Sequence, residues 1–194
     1  MDYRIYHAVN AWASGHGGFV HALTYLENAL VVGITAAAIL LWLAARPGGS
    51  AKWKLASASA LASGALAYAV AQVIHAAWDR PRPYMSHPGV WHPYADSTDA
   101  SFPSDHTSAA FGIAWGLFLY DRVVGGVFLA VALVLSWLRV VIGFHYPADI
   151  GAGFLVGLVC ALAVRAAQPA IAYLVRRFEK LTDPVVRPFW HRAS

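Results

Sequence analysis

Long apolar stretches dominate this 194-residue chain, and they restrict it to a protein that lies in a membrane. Hydrophobic residues make up 59% of the chain and charged residues only 12%, whereas soluble domains have roughly 25% charged residues. A helix crosses a bilayer with about 20 mainly apolar residues. The windows that meet or approach this length are residues 28–45, 55–78, 106–120, 124–142 and 150–174. We therefore predict an all-α, polytopic membrane bundle with about five transmembrane helices, forming a single domain over residues 1–194.

The segment before the first window has a different pattern. Residues 3–13 mix aromatic and aliphatic side chains with Arg4 and His7, which favours an amphipathic helix at the membrane interface. A basic segment followed by an apolar core is absent from this start, so we do not expect a cleaved signal peptide. The sequence thus predicts an interfacial helix ahead of the spanning helices.

The positions of the basic residues predict the orientation. Lys52 and Lys54 lie between the first two windows, and a basic tail begins at Arg176. The positive-inside rule assigns these segments to the cytoplasmic side, which leaves the amino terminus and residues 79–104 and 143–149 outside. The net charge of +4 then reflects topology and contact with anionic lipids. We expect the bilayer as a partner and do not expect nucleic acid.

Two polar clusters fall near the predicted outer ends of spans. The first, residues 75–84, contains Arg80 and Arg82 in a turn that prolines make rigid. The second, residues 101–108, reads Ser-Phe-Pro-Ser-Asp-His-Thr-Ser. Serine and aspartate are good N-caps, so this string predicts a helix start. The free N–H groups of such a turn favour an anion.

A third polar cluster carries Arg139, His145 and Asp149 at apolar-to-polar boundaries. His145 and Asp149 are four residues apart, so we expect them to share one helical face, where the carboxylate holds the imidazole in one tautomer. The Arg139 guanidinium can bind a phosphate through two parallel hydrogen bonds. Together the three clusters predict a phosphate site that contains a nucleophile.

The three clusters resemble the signature motifs of the type-2 phosphatidic acid phosphatase superfamily. Those motifs are a lysine, six residues and Arg-Pro; then Pro-Ser-Gly-His; then Ser-Arg, five residues, His, three residues and Asp. The matching residues are, in order, Arg82 with Pro83, residues 103–106, and Arg139, His145 and Asp149. Within the superfamily, the Pro-Arg-Pro-Tyr and Ser-Phe-Pro-Ser-Asp-His-Thr strings are similar to bacterial undecaprenyl diphosphate phosphatases of the bacitracin-resistance type.

Three positions depart from the family pattern. Asp105 replaces the glycine of the second motif, as is typical of that bacterial subgroup, and Leu138 replaces the serine before the arginine. His75 stands where the pattern has lysine. An imidazole is mostly neutral at a pH where lysine is charged, so His75 would make a weaker or pH-dependent phosphate contact. We expect Arg80 to supply the missing charge.

The resemblance implies a role for each residue. His145 is the nucleophile, Asp149 holds it, and His106 is the general acid and then the general base. No metal or other cofactor is expected. The residues that the resemblance and the residue chemistry together assign to the substrate phosphate are Arg82, Arg139, Ser104, Asp105, His75 and Arg80.

The expected activity is hydrolysis of the terminal phosphate of undecaprenyl diphosphate at the outer face of a bacterial plasma membrane, which recycles the lipid carrier of cell-wall synthesis. A broad-specificity phosphatase acting on phosphatidylglycerol phosphate or phosphatidate is the alternative. Vanadium haloperoxidases have a similar anion site but are soluble. A lipid or anion transporter would not need His145 and Asp149 together with His106. The sequence does not indicate an oligomeric state.

Overall fold

The computed structural model describes residues 1–45, 49–92 and 98–190 of the chain. Within these residues the regular structure is entirely helical, which confirms the predicted all-α class. The helices are α1 (Asp2–Gly15), α2 (Gly17–Ala44), α3 (Ala51–Ala77), α4 (Pro83–Ser86), α5 (Asp105–Phe118), α6 (Arg122–Val141), α7 (Pro147–Ala166) and α8 (Gln168–Trp190).

In the described part of the chain, four helices are long and apolar enough to cross a membrane, namely α2, α3, α6 and α7. The other predicted span, 106–120, corresponds to α5, which has 14 residues. At 1.5 Å per residue it is about 21 Å long, shorter than a hydrocarbon core of about 30 Å. α5 instead lies in the centre of the bundle, where it packs against α3, α6 and α7.

Small residues allow α5 to lie very close to its neighbours. A Cβ atom added at Gly112 would come within 2.6 Å of the Ser63 carbonyl oxygen of α3, and one added at Gly116 within 2.6 Å of the Ala60 Cα. On the other side, a Cβ added at Gly157 of α7 would lie 2.7 Å from the Gly112 nitrogen. Such contacts are how membrane helices gain van der Waals packing without a hydrophobic driving force. They fix the depth and rotation of α5, and with them its polar first turn.

Two predicted boundaries were wrong. The first span begins at Gly17, well before residue 28, and two polar side chains of its early turns are buried, Thr24 and Glu27, the latter 2% exposed. The last window, 150–174, contains the end of α7 at Ala166 and the start of α8 at Gln168. Pro169 lies in the first turn of α8, where proline is tolerated, and its missing N–H prevents one continuous helix.

The two ends of the bundle differ in chemistry. One end holds the amino-terminal ends of α2, α5 and α7 and the carboxyl-terminal ends of α3 and α6, and all three polar clusters lie there. At the other end, Lys52 Nζ lies 2.8 Å from Asp121 Oδ2, and Lys54 Nζ lies 2.8 Å from Glu179 Oε1. α1, the predicted amphipathic helix, packs against α6 and α7 at the end that carries the clusters.

Candidate active site

His145 lies in the turn between α6 and α7 and is fully buried. The turn begins at Gly143, whose φ of 88° is accessible mainly to glycine. The His145 Nδ1 atom is 2.9 Å from the Ser101 carbonyl oxygen. Because a carbonyl oxygen can only accept, Nδ1 carries the proton and Nε2 keeps its lone pair. The ring is thus fixed as a neutral imidazole with its nucleophilic nitrogen free of a proton.

Asp149 holds this arrangement indirectly. The predicted shared helical face with His145 is not formed, because Pro147 begins α7 and leaves His145 in the preceding turn. The Asp149 Oδ2 atom lies 3.6 Å from His145 Nδ1, longer than a hydrogen bond. Oδ2 instead accepts hydrogen bonds from Ser101 Oγ at 2.6 Å and from the Tyr146 N–H at 2.8 Å. Asp149 therefore positions Ser101, and the Ser101 carbonyl positions His145.

Arg139, in the last turn of α6, points its guanidinium at His145. Its Nη2 atom lies 3.4 Å from His145 Nε2, and its Nη1 atom donates to Glu27 Oε1 at 3.1 Å. The side chain is nearly buried, and Nε has no hydrogen-bond partner among the described residues. A donor beside the nucleophilic nitrogen suits a phosphoryl oxygen that approaches it.

Arg82 joins Arg139 at the same place. The two guanidinium carbons lie 5.3 Å and 4.9 Å from the centre of the Phe144 ring. Arg82 Nε donates to the Asp99 carbonyl oxygen at 3.0 Å, while its Nη1 is buried without a partner in the described part of the chain. Burial and the Arg139 charge lower the pKa of Arg82. We call these two arginines the phosphate clamp. An anion bound between them would offset the repulsion between the two cations and would accept hydrogen bonds from their partnerless N–H donors.

The first turn of α5 provides the other histidine. Ser104 is the N-cap, and its Oγ accepts from the Thr107 N–H at 3.4 Å. Asp105 Oδ1 accepts from both the backbone N–H and the Nδ1 of His106, at 2.7 Å and 2.8 Å. Asp105 was expected to contact the substrate phosphate, but its carboxylate binds His106 instead. A carboxylate would also repel a phosphate. Asp105 instead fixes the His106 ring, so that its Nε2 is free to exchange a proton.

His75 does not occupy a lysine-like position toward a phosphate. Its Nε2 atom lies 2.7 Å from the Pro103 carbonyl oxygen, to which it donates. This hydrogen bond ties the end of α3 to the loop before α5. His75 therefore holds the second cluster in place, in contrast to the phosphate contact expected from the family pattern.

Arg80 also differs from its expected role. Its Nη1 donates to Asp149 Oδ1 at 2.6 Å and its Nη2 donates to Asp2 Oδ2 at 2.7 Å, while its guanidinium lies 4.1 Å from the Tyr146 ring centre. Burial alone would lower the pKa of Arg80, but the hydrogen bond to Asp2 and the Asp149 charge outweigh it and raise the pKa. Both terminal nitrogens thus donate to carboxylates, one to Asp149 and the other to Asp2.

Asp2 brings α1 into the site. Besides its bond to Arg80, its Oδ1 accepts from the Ala148 N–H at 2.9 Å, at the first turn of α7. Sequence reasoning treated α1 only as an interfacial helix and missed Asp2, Ser101 and Glu27 as site residues. The signal available in the sequence was a carboxylate at the edge of the first apolar window, because such a charge is costly once buried unless it is paired.

An apolar cleft of about 180 Å³ reaches the site from between the helices. His106, with a side chain that is 37% exposed, is the lining residue that belongs to one of the three polar clusters. The other lining residues come from α2, α3, α5 and α6: Val31, Ile34, Thr35, Tyr68, Ala109, Ala110, Ile113 and Leu135. A polar head held near His106 would have an apolar surface beside it.

A family comparison covers the part of the chain that carries all three polar clusters. Residues 56–173 match the model of the PAP2 superfamily, the superfamily named in the sequence analysis. The chain belongs to the PAP2 superfamily. It is therefore a membrane phosphatase, and the predicted resemblance is confirmed.

Curated relatives extend the likeness over most of this PAP2 protein. The chain is 24% identical over 186 residues to the undecaprenyl-diphosphatase BcrC of Bacillus subtilis, covering 96% of this chain and 88% of that protein. It is 25% identical over 172 residues to the putative undecaprenyl-diphosphatase YbjG of Escherichia coli, covering 85% and 81%. The bacitracin transport permease protein BcrC of Bacillus licheniformis is 32% identical over 108 residues, but the match spans only 53% of its length.

Solved structures share the fold of this PAP2 protein. The crystal structure of Aquifex aeolicus LpxE has a TM-score of 0.66 at 19% identity, and the alignment covers 85% of this chain and 94% of that one. A transmembrane PAP2 type phosphatidylglycerolphosphate phosphatase from Bacillus subtilis has a TM-score of 0.55 at 21% identity, covering 88% and 85%. At these identities the likeness establishes the helical arrangement alone.

Proposed function

We propose that this PAP2 phosphatase removes the terminal phosphate of undecaprenyl diphosphate and releases undecaprenyl phosphate. The observation that carries the phosphoryl-transfer chemistry is the buried His145 Nε2, unprotonated and 3.4 Å from Arg139 Nη2. The lipid diphosphate is supported by the names of the Bacillus subtilis and Escherichia coli relatives and by the apolar cleft beside His106. Phosphatidylglycerol phosphate and phosphatidate remain the alternative substrates.

The first chemical step transfers the phosphoryl group to His145. The Nε2 lone pair forms the N–P bond as the bond from phosphorus to the bridging oxygen breaks. The electron pair goes to that oxygen, which takes a proton from Nε2 of the His106 imidazolium. Arg82 and Arg139 bind the oxygens of the transferred group, where charge shifts in the transition state.

The second step returns the enzyme to its starting state. Neutral His106 takes a proton from a water molecule as the water oxygen forms a new bond to phosphorus. The N–P bond breaks, its electron pair returns to His145 Nε2, and inorganic phosphate leaves. Asp149 stabilises the positively charged phosphohistidine ring through Ser101, whose hydroxyl donates a hydrogen bond to Asp149. Neither step uses a metal ion.

The proposed setting is a bacterial plasma membrane with the site on the extracytoplasmic side. Its support is the separation of charge between the two ends of the bundle. Lys52 and Lys54 lie at the end opposite His145 and Arg139. By the positive-inside rule that basic end faces the cytoplasm.

A phosphate-release panel tests the proposed substrate. The purified protein in detergent micelles, with a chelator present, is assayed on undecaprenyl diphosphate, phosphatidylglycerol phosphate and phosphatidate. We expect the largest kcat/KM for undecaprenyl diphosphate. Much faster turnover of either phospholipid would assign the protein to the broad-specificity phosphatases, and no release from any of the three lipids would favour a transporter.

Substitutions at Arg80 and Asp2 distinguish a positioning role from a second phosphate contact. Since Arg80 holds Asp149, we expect Arg80→Gln to lower kcat about tenfold with little change in KM, because misplaced catalytic groups cost rate. Asp2→Asn should lower kcat about threefold, and the double variant should be no slower than Arg80→Gln, since the two residues act in one network.

The control for this series is Arg4→Gln, which removes an exposed cation from the same helix as Asp2. Initial rates are measured on undecaprenyl diphosphate and on phosphatidate. A rise in KM that is confined to the diphosphate in Arg80→Gln, with Asp2→Asn unaffected, would instead make Arg80 the ligand of the second phosphate.

The pH dependence of kcat/KM should reveal the depressed pKa of His145. Burial, with the charges of Arg139 and Arg82, lowers that pKa to about 4, so the nucleophile stays neutral well below the ordinary histidine value of about 6.5. We expect the acidic limb of kcat/KM, which reports the free enzyme, to lie near pH 4 after correction for the substrate's own ionisation by ³¹P NMR. A limb centred near 6.5 would contradict this.

The lowered pKa of His145 also makes the fold less stable in acid, and the assay must distinguish this loss of fold from protonation of the nucleophile. Between pH 6.5 and 4 the unfolded chain binds a proton at His145 that the folded protein does not, so acidification through this window destabilises the fold. Samples held at each pH are therefore returned to neutral pH and reassayed. Recovery of full activity excludes irreversible loss of the fold as the cause of the acidic limb.

A further inference from the structure

Glu27 is a buried carboxylate that the proposed mechanism does not use. It lies in α2, is 2% exposed, and its Oε1 accepts a hydrogen bond from Arg139 Nη1 at 3.1 Å. A carboxylate inside a helical bundle is costly unless it is paired. Its partner here is one of the two arginines of the phosphate clamp, so a role in the clamp accounts for its presence.

The geometry gives Glu27 control over the direction of the Arg139 guanidinium. That group is planar, and its N–H donors leave in fixed directions. With Nη1 held by Glu27, the edge formed by Nη2 and the partnerless Nε is left for a ligand, and Nη2 is the atom beside His145 Nε2. Rotation of the group would move those donors away from the phosphoryl position.

The charges give Glu27 a second effect. Arg82 and Arg139 are close enough for the Arg139 charge to lower the pKa of Arg82. The clamp must bind the phosphate of the substrate and must also release inorganic phosphate, which carries the same oxygens and as much charge. A fixed negative charge on the far side of Arg139 weakens the attraction of the clamp for the substrate phosphate and for inorganic phosphate. The weaker attraction speeds turnover when release of inorganic phosphate is slow.

We propose that Glu27 is a positioning residue that fixes the Arg139 guanidinium and offsets part of its charge, so that the clamp releases inorganic phosphate between turnovers. The inference rests on the proposed function, since it takes Arg139 to bind the transferred phosphoryl group. Glu27 lies outside the three motifs and is 112 positions from Arg139 in the sequence.

Two variants separate the charge of Glu27 from its reach. Glu27→Gln keeps an oxygen that can accept from Arg139 Nη1 but removes the negative charge. We expect its dissociation constant for inorganic phosphate to fall about five- to tenfold, the size of a partly screened charge interaction over several ångströms. Glu27→Asp keeps the charge but shortens the side chain by one methylene. We expect its kcat to fall about tenfold while phosphate binds no more tightly than to the wild type.

Glu179→Gln is the matched control, because Glu179 is also a carboxylate paired with a cation, Lys54, but at the opposite end of the bundle. Isothermal titration of inorganic phosphate into each full-length protein in detergent gives the dissociation constants, and lipid hydrolysis gives kcat. The control should match the wild type in both. Phosphate binding by Glu27→Gln that is equal to or weaker than that of the wild type would overturn the charge effect.

Wild-type kcat in Glu27→Asp would overturn the positioning effect. This variant still tests the positioning of Arg139 by Glu27 if Glu27→Gln does not fold. The titration does not depend on turnover, so the two proposals can fail separately. Tighter phosphate binding in Glu27→Gln with no lipid hydrolysis by the wild type would reject the proposed function alone. Normal hydrolysis with unchanged phosphate binding would reject the role of Glu27 alone.

Discussion

The His145→Ala variant is expected to lose at least about 10⁴-fold of kcat for phosphate release from undecaprenyl diphosphate. Removing the nucleophile of a covalent mechanism eliminates the N–P intermediate, and only binding and charge stabilisation remain. The phosphate clamp is untouched, so the dissociation constant for inorganic phosphate should change by no more than a few-fold. Kinetics and isothermal titration on the same preparation measure both quantities.

The control for His145→Ala is His21→Ala, since His21 is an exposed histidine of α2 outside the site. In the wild type, rapid quenching into alkali after mixing with terminally ³²P-labelled substrate should trap label on His145, because phosphohistidine survives alkali and is lost in acid. Label on another residue, or more than a tenth of wild-type kcat in His145→Ala, would exclude His145 as the nucleophile.

The sequence was sufficient for the class of fold and for naming the candidate reacting groups, because both depend on local patterns. A spanning helix is a run of apolar residues, and each motif is a short string. His145, His106 and Arg139 could therefore be named before their contacts were known. The break between α7 and α8 was missed because the apolar window continued across it, although a proline at 169 is a local signal for a first helical turn.

The connections among these groups could not be read in the same way. Asp149 was expected to touch His145 through helical spacing, but Pro147 sets the start of α7 after His145, and the backbone carbonyl of Ser101 takes that place. A backbone carbonyl has no residue identity, so no sequence pattern indicates it. Only the packed bundle brings it to the imidazole.

Long-range ion pairs were missed for a related reason. Arg80 reaches Asp2 across 78 positions, and Arg139 reaches Glu27 across 112. The register between α2 and α6 depends on how closely the helices pack, which follows from all their contacts together. Charge alone indicates only that a buried group needs a partner. It does not say which one, and Arg80 was accordingly assigned to phosphate.

The second large effect concerns His106, whose removal should cost more for a poor leaving group than for a good one. Undecaprenyl diphosphate loses a phosphate monoester, whose second pKa is about 6, so its bridging oxygen leaves with little help. Phosphatidate loses an alkoxide, a base of about the strength of hydroxide, for which water has a pKa of about 15.7. We expect His106→Ala to lower kcat/KM about 10²-fold for the diphosphate and about 10⁴-fold for phosphatidate.

The ratio of these two losses isolates proton donation from every other role of His106. The value of kcat/KM covers only the steps up to the first irreversible one, so the later hydrolysis of the phosphohistidine, where His106 acts as a base, does not enter it. Asp105→Asn provides a graded comparison, because it weakens the contact that orients the His106 ring but leaves the ring present. We expect it also to cost more kcat/KM on phosphatidate than on the diphosphate, but by a smaller ratio than His106→Ala. Equal losses on both substrates would mean that His106 binds the phosphoryl group rather than protonating the leaving oxygen.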